Sequence, residues 1–105
     1  MKVFWSNFAV QMLSEIYLYY KINIGLQVAK NIKNDILKAT SQLKTYPYSG
    51  QIEPNLEGLQ EMHRYLIKGN YKVIYKEIKE GILITDIFDT RQNPVKINDE
   101  KRNSK

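Results

Sequence analysis

The chain has 105 residues, a net charge of +5, no cysteine and one histidine. That length bounds it to one domain with a modest core, and 43% apolar residues favour a folded globule over disorder. The missing cysteines exclude a disulfide framework, a thiolate nucleophile and a cysteine-ligated zinc site, and a lone histidine excludes a His-pair metal site.

No cofactor and no metal is expected from this composition. No apolar run reaches membrane-spanning length, and the opening "MKVFWSNFAV" is too short and too polar for a signal peptide, so the expectation is a cytoplasmic protein without a membrane role. The charge is uneven. Residues 1–50 hold six Lys/Arg and two acids, and residues 51–105 hold ten and nine. A basic first half suits an anionic partner, nucleic acid or acidic protein.

In chain order, "KVFW" (2–5) reads as a short strand, and Ser6 as a helix N-cap. Phe8, Ala9, Met12, Leu13, Ile16, Tyr17 and Tyr20 then recur at three- and four-residue spacing, which is one helix face. Gly25 marks a break. A second helix starts near Leu26 with the stripe Val28, Ile32, Ile36, Ala39 and Leu43, and Pro47 ends it. Two helices so joined make an antiparallel hairpin.

"YPYSGQIEPNLEG" (46–58), with two prolines and two glycines, reads as a loop. Three strands follow: "LQEMHRYLI" (59–67), "YKVIYKEIK" (71–79) and "ILITDIFDT" (82–90), separated by Gly69-Asn70 and Glu80-Gly81 turns. Residues 95–105 read as a polar tail. The order β-α-α-β-β-β predicts an α+β domain, with the helical hairpin covering one face of a small, mostly antiparallel sheet. In residues 71–78, Tyr71, Val73 and Tyr75 should face the helices. Lys72, Ile74, Lys76 and Ile78 should form an open, cationic face.

The helical hairpin, "P-x-x-G" at Pro47–Gly50, "HRYLIKGNYKVIY" at 63–75 and "ILITDIFDTRQNP" at 82–94 together resemble the RelE/ParE superfamily of type II toxins. Arg64, Tyr71, Lys72, Tyr75 and Arg91 stand at the family's basic and tyrosine positions, and "MKVFWS" is similar to the start of the YoeB branch. The resemblance spans residues 1–94, one toxin domain. It implies a toxin held inactive by a cognate antitoxin, in assemblies such as a heterotetramer. It implies two alternative targets: mRNA on the ribosome, cleaved without metal by RelE- and YoeB-like members, or DNA gyrase, inhibited by ParE-like members that are not nucleases.

Cleaving RNA without metal needs a base, fixed cations and an acid. Arg64, Lys72 and Arg91 could supply the cations, although the RelE branch usually carries Arg where Lys72 stands, and Lys lacks the bidentate fork. Glu53, in "IEP", matches a base carboxylate of the YoeB branch. His63 could move a proton near neutral pH. Each also has a plain structural reading: Glu53 as a solvated loop carboxylate, His63 as a sheet residue, and Arg64 or Arg91 as an ion-pair partner of Asp86, Asp89 or Glu61. Residues 92–105 contain no aromatic and no histidine, unlike the usual ribosome-dependent nuclease, which favours a ParE-like or a degenerate site. For the antitoxin, Tyr20, Lys30 and Lys33 offer a basic, aromatic helical surface. An alternative of a different class is a non-toxic, basic RNA-binding or adaptor domain.

Overall fold

The computed structural model describes residues 1–99 and 102. Strand β1 (Lys2–Trp5) leads into helix α1 (Asn7–Asn23), and the Ser6 hydroxyl accepts the Ala9 N–H at 3.0 Å, as its N-cap position predicts. Gly25, at φ 153°, separates α1 from α2 (Leu26–Ser41). Ala9 on α1 and Ala29, Ile36 and Ala39 on α2 are buried, and Ala9 and Ile36 belong to the core against the sheet. Val28, expected on the inward stripe, is exposed, and Ala29 takes that position.

The sheet has five strands in the order β1-β5-β4-β3-β2. The two-residue β2 (Gln51–Ile52) was not expected. It pairs with the start of β3 (Arg64–Lys68), and β4 (Tyr71–Ile78) and β5 (Gly81–Asp89) continue the antiparallel meander. Strand β1 closes the sheet in parallel to β5. The fold is thus the expected α+β arrangement, a helical hairpin on a mixed, mostly antiparallel sheet. Strand β3 starts five residues later than the sequence suggests. Pro54–Leu59 instead forms a 3₁₀ segment, because Pro54 sets its first φ and the Glu53 side chain caps it through the Asn55 N–H.

Two cores hold the sheet. Between helices and sheet lie Ile36, Leu43, Tyr71, Val73, Tyr75, Ile82, Ile84 and Ile87. On the opposite face, Leu56, Ile74, Phe88 and Ile97 make a second cluster beside Tyr65. The second cluster corrects the expectation of an open cationic face. The 3₁₀ segments Pro54–Leu59 and Pro94–Asn98 lie over it, and Lys72 is half-buried. Each fully buried aliphatic or aromatic side chain there contributes roughly 1.5–3 kcal/mol. Part of the expected polar tail therefore belongs to the packed structure: Ile97 is fully buried, and Arg102 bonds Asp86 through two nitrogens at 2.7 and 2.9 Å. Residues 100, 101 and 103–105 of that tail lie outside the described residues.

The register explains how β5 serves both cores. Ile74 pairs with Asp86 but Tyr75 pairs with Ile84, which leaves Thr85 as the extra residue of a bulge. The inserted residue shifts the alternation by one. Ile82, Ile84 and Ile87 all face the helices, while Asp86 and Phe88 turn to the other side.

Candidate functional site

Arg64 opens β3, opposite Tyr75. Its Nη1 donates to the Gly50 carbonyl at 2.9 Å, and its guanidinium lies 5.6 Å from the centre of the Tyr48 ring. The loop can come this close because residue 50 is glycine. A Cβ there would stand 2.6 Å from the Tyr75 hydroxyl, to which the Gly50 N–H donates at 2.9 Å. The P-x-x-G motif thus sets the loop against β3 and β4. Tyr48 Oη in turn donates to Glu77 at 2.9 Å.

Lys72 lies on the other side of the sheet. Arg64 and Tyr75 are cross-strand partners, as are Lys72 and Ile67, and strand alternation puts these two pairs on opposite faces. Lys72 Nζ donates to Glu53 Oε1 at 2.8 Å and sits 4.2 Å from the centre of the Tyr65 ring. Glu53 is only 1% exposed. Its second oxygen accepts from the Asn55 backbone and side chain at 2.9 and 3.0 Å. Burial is the largest influence on this carboxyl and raises its pKa. Lys72 and Asn55 acting together outweigh it and bring the net value below the usual carboxylate range. A buried, fully bonded carboxylate of low pKa is a poor acceptor for a substrate proton. The solvated-loop reading of Glu53 is corrected by the same geometry.

His63 is 4% exposed, and its Nδ1 has no hydrogen-bond partner among the described residues. Its Nε2 lies 3.8 Å from Glu61. Burial pushes its pKa down, so the imidazole is neutral at pH 7.

Arg91 follows β5 and grips Asp89 through Nε and Nη2 at 2.9 and 2.8 Å. That hydrogen bonding holds Asp89 below its ordinary pKa and raises that of Arg91. This is the ion pair that the structural reading of Arg91 anticipated. Arg91 rims an open cleft of about 420 Å³, floored by Met12, Ile16, Tyr71 and Ile87. Tyr71 donates to Tyr20 Oη at 3.2 Å, and its own pKa is raised, by burial first and by Tyr20 second. Arg64 lines a separate recess. The five residues expected to act together therefore fall into three places: Arg64; the Lys72–Glu53 pair with His63, which lines one recess with Glu53 and accepts the Glu53 N–H through its backbone carbonyl at 2.8 Å; and Arg91.

The family model of the ParE toxin of type II toxin–antitoxin systems (parDE) matches residues 3–94. The chain belongs to the ParE toxin family. A chain of the chromosomal ParDE toxin–antitoxin system from P. aeruginosa superposes with a TM-score of 0.72 at 21% identity, covering 85% of this chain and 95% of that one. At that identity the likeness shows the fold. No curated protein sequence matches.

In this ParE-family chain the expected antitoxin residues are spread along the hairpin. Lys30 and Lys33 are exposed on α2, with Lys33 Nζ 5.3 Å from the Tyr17 ring centre, while Tyr20 is half-buried against Tyr71. Sequence reading missed three features. Tyr48 stands beside Arg64, which the aromatic flanks of Pro47 could have suggested. Asp86 and Arg102 form a buried pair. Gln60 and Met62 both have positive φ, for which the residue types give no signal. Among the described residues no helix is long and apolar enough to cross a membrane.

Proposed function

We propose that this ParE-family chain is the toxin of a type II pair that arrests growth by docking onto a protein target, DNA gyrase in the ParE-like reading, and not by cutting RNA. One observation carries the choice. Phosphodiester cleavage needs base, cations and acid around a single phosphate, and the carboxylate best matched to a base is locked on Lys72, across the sheet from Arg64. His63, neutral and buried, supplies no alternative at the surface. Fold alone does not choose between the two activities, so the choice rests on these residues.

A cognate antitoxin neutralises the toxin by laying an acidic, amphipathic segment over the cleft beside Arg91 and the basic α2 surface at Lys30 and Lys33. The apolar floor of the cleft and its cationic rim support that chemistry.

The test is induced expression with parallel readouts. Growth should stop, plasmid supercoiling should fall in the presence of gyrase, and ribosome-bound mRNA should stay intact. Glu53→Gln separates the mechanisms. A general base replaced by its amide loses cleavage about 100-fold or more, whereas a docking toxin of unchanged fold keeps its arrest. Codon-specific mRNA cuts that vanish with Glu53→Gln would defeat the proposal. Normal growth with soluble protein would favour the adaptor alternative.

A further inference from the structure

We infer that the sheet end formed by residues 46–50 and 60–64 is the surface that docks on the target, and that it takes a protein offering an apolar side chain beside a carboxylate. The inference rests on the docking reading above and names the face that docks.

Backbone geometry is the first observation. Gln60 and Met62 have φ of 57° and 55°, in the left-handed region that glycine, asparagine and aspartate tolerate best. Met62 is nonetheless 66% exposed, so little packing offsets the strain of holding it there. Tyr48, 54% exposed, stands in the same recess. That recess has a volume of about 130 Å³ and is lined by Tyr48, Met62, Arg64, Tyr75, Lys76 and Ile82, with Glu77 at its side. Its size suits one aliphatic side chain. Tyrosine, methionine and arginine are also the side chains enriched at protein interfaces.

The second observation concerns charge. Arg91 and Arg102 each hold a carboxylate, and so do Lys72 and Lys76. Arg64 forms no ion pair among the described residues. It is half-buried, bonded to one carbonyl and lying near the Tyr48 ring, which leaves guanidinium N–H groups for an incoming acceptor. A half-buried guanidinium gains most from a charge-assisted partner.

The third observation distinguishes protein from nucleic acid. Glu77 is held at the recess by Tyr48, and Glu61 by Lys76, so carboxylates accompany the two cations. A phosphate backbone would meet these acids at once, and polyanion binding needs a net cationic track. A single carboxylate brings one charge where a phosphate backbone brings a row of them, so its pairing with Arg64 is opposed far less.

The experiment uses Met62→Asn, alone and with Tyr48→Ala, in the full-length chain. Asparagine tolerates left-handed backbone, so the melting temperature should stay level or rise by up to about 4 °C. Removal of an interface anchor should raise the protein level needed for growth arrest about 10-fold or more, while co-purification with the product of the adjacent gene stays unchanged. That combination supports the inference. Full arrest by the double variant overturns it. So does an equal loss of the adjacent gene's product, which would make this the antitoxin's surface. So does wild-type binding to a single-stranded oligonucleotide that both variants lose. A wild-type chain that leaves growth untouched overturns the toxin reading together with the inference, a result none of the variant outcomes can imitate.

Discussion

Glu53 and Asp86 are two buried carboxylates on the same side of the sheet, each tied to one cation, yet their acidities move in opposite directions. Glu53 bonds Lys72 and two groups of Asn55, and its pKa falls below normal. Asp86 has both oxygens on Arg102, but burial outweighs that pairing and its pKa rises. Desolvation is the largest influence at both sites. Each carboxylate also takes a backbone hydrogen bond, Glu53 from Asn55 and Asp86 from Ile87, so what differs is how strongly burial disfavours the charge. An ion pair is therefore not one kind of object. At Glu53 the charge is favoured and fixes the loop 51–59 to β4. At Asp86 the charge is tolerated, and the cation that meets it comes from the chain's far end.

Removing one cation at a time should break the symmetry most strongly. Lys72→Met leaves Glu53 buried, ionised and without its cation, which costs about 3–5 kcal/mol. For a domain of this size that lowers the melting temperature by roughly 12 °C or more. Adding Glu53→Gln, which can still accept the Asn55 N–H, should restore more than half of the loss. No recovery in the double variant would mean that Lys72 acts through its stem on Tyr65 and not through its charge. Arg102→Met should cost less than Lys72→Met, because burial already raises the Asp86 pKa and a proton can take the place of the lost cation more readily than at Glu53. The deficit should shrink further as the pH is lowered. Urea unfolding of each variant at pH 7 and pH 5 decides the matter.

The pH dependence sharpens the contrast with a smaller effect. Glu53 has a folded pKa below its ordinary 4.5, so its stabilisation is complete above that value and is lost as the pH falls through the folded pKa. Asp86 has a folded pKa above its ordinary 3.8, so the folded state takes up the proton first, and its contribution improves as the pH falls through that raised value. Glu53→Gln should flatten the acid limb of the stability curve. Asp86→Asn should steepen it. Parallel curves for both variants and wild type would mean that the two carboxylates titrate alike.

Features set by neighbours in sequence were legible before the fold was known. Ser6 reads as a cap because its hydroxyl acts on a residue three positions on, and the α1 stripe reads from spacing alone. Pro47 and Gly50 mark the loop for the same reason. What was hidden depends on distant partners. Nothing around Glu53 announces that Lys72, 19 residues away, will bury it, and nothing in "VKINDEKRNSK" announces that Ile97 and Arg102 will cover Phe88 and Asp86. The bulge at Thr85 is likewise invisible locally, because a strand pattern of "ILITDIFD" reads as apolar on both faces with or without it. The family's basic positions were found, but their dispersal over both faces of the sheet was not, since residue type carries no information about which face the register selects.

The Arg91–Asp89 pair supplies the smallest effect and the cleanest control. Its geometry is as good as that of the buried pairs, with two nitrogens on two oxygens at 2.9 and 2.8 Å. Its surroundings differ: the Arg91 side chain is 56% exposed, so water and salt screen the attraction. Arg91→Gln should therefore leave the melting temperature unchanged within error. It should raise the Asp89 pKa toward the ordinary 3.8, because the guanidinium is the main cause of its depression. Salt should act in the same direction. The screening length is about 10 Å at 0.1 M and about 3 Å at 1 M, so the Asp89 pKa of the wild type should climb with added NaCl while that of Glu53, shielded inside the protein, holds. Carbon-detected NMR titration of the two carboxyls at both salt concentrations reads this directly. If Arg91→Gln instead lowered the melting temperature by more than about 5 °C, Arg91 would be a structural residue like Lys72, and its exposed guanidinium at the rim of the cleft proposed for the antitoxin would no longer be free to exchange Asp89 for a partner's carboxylate.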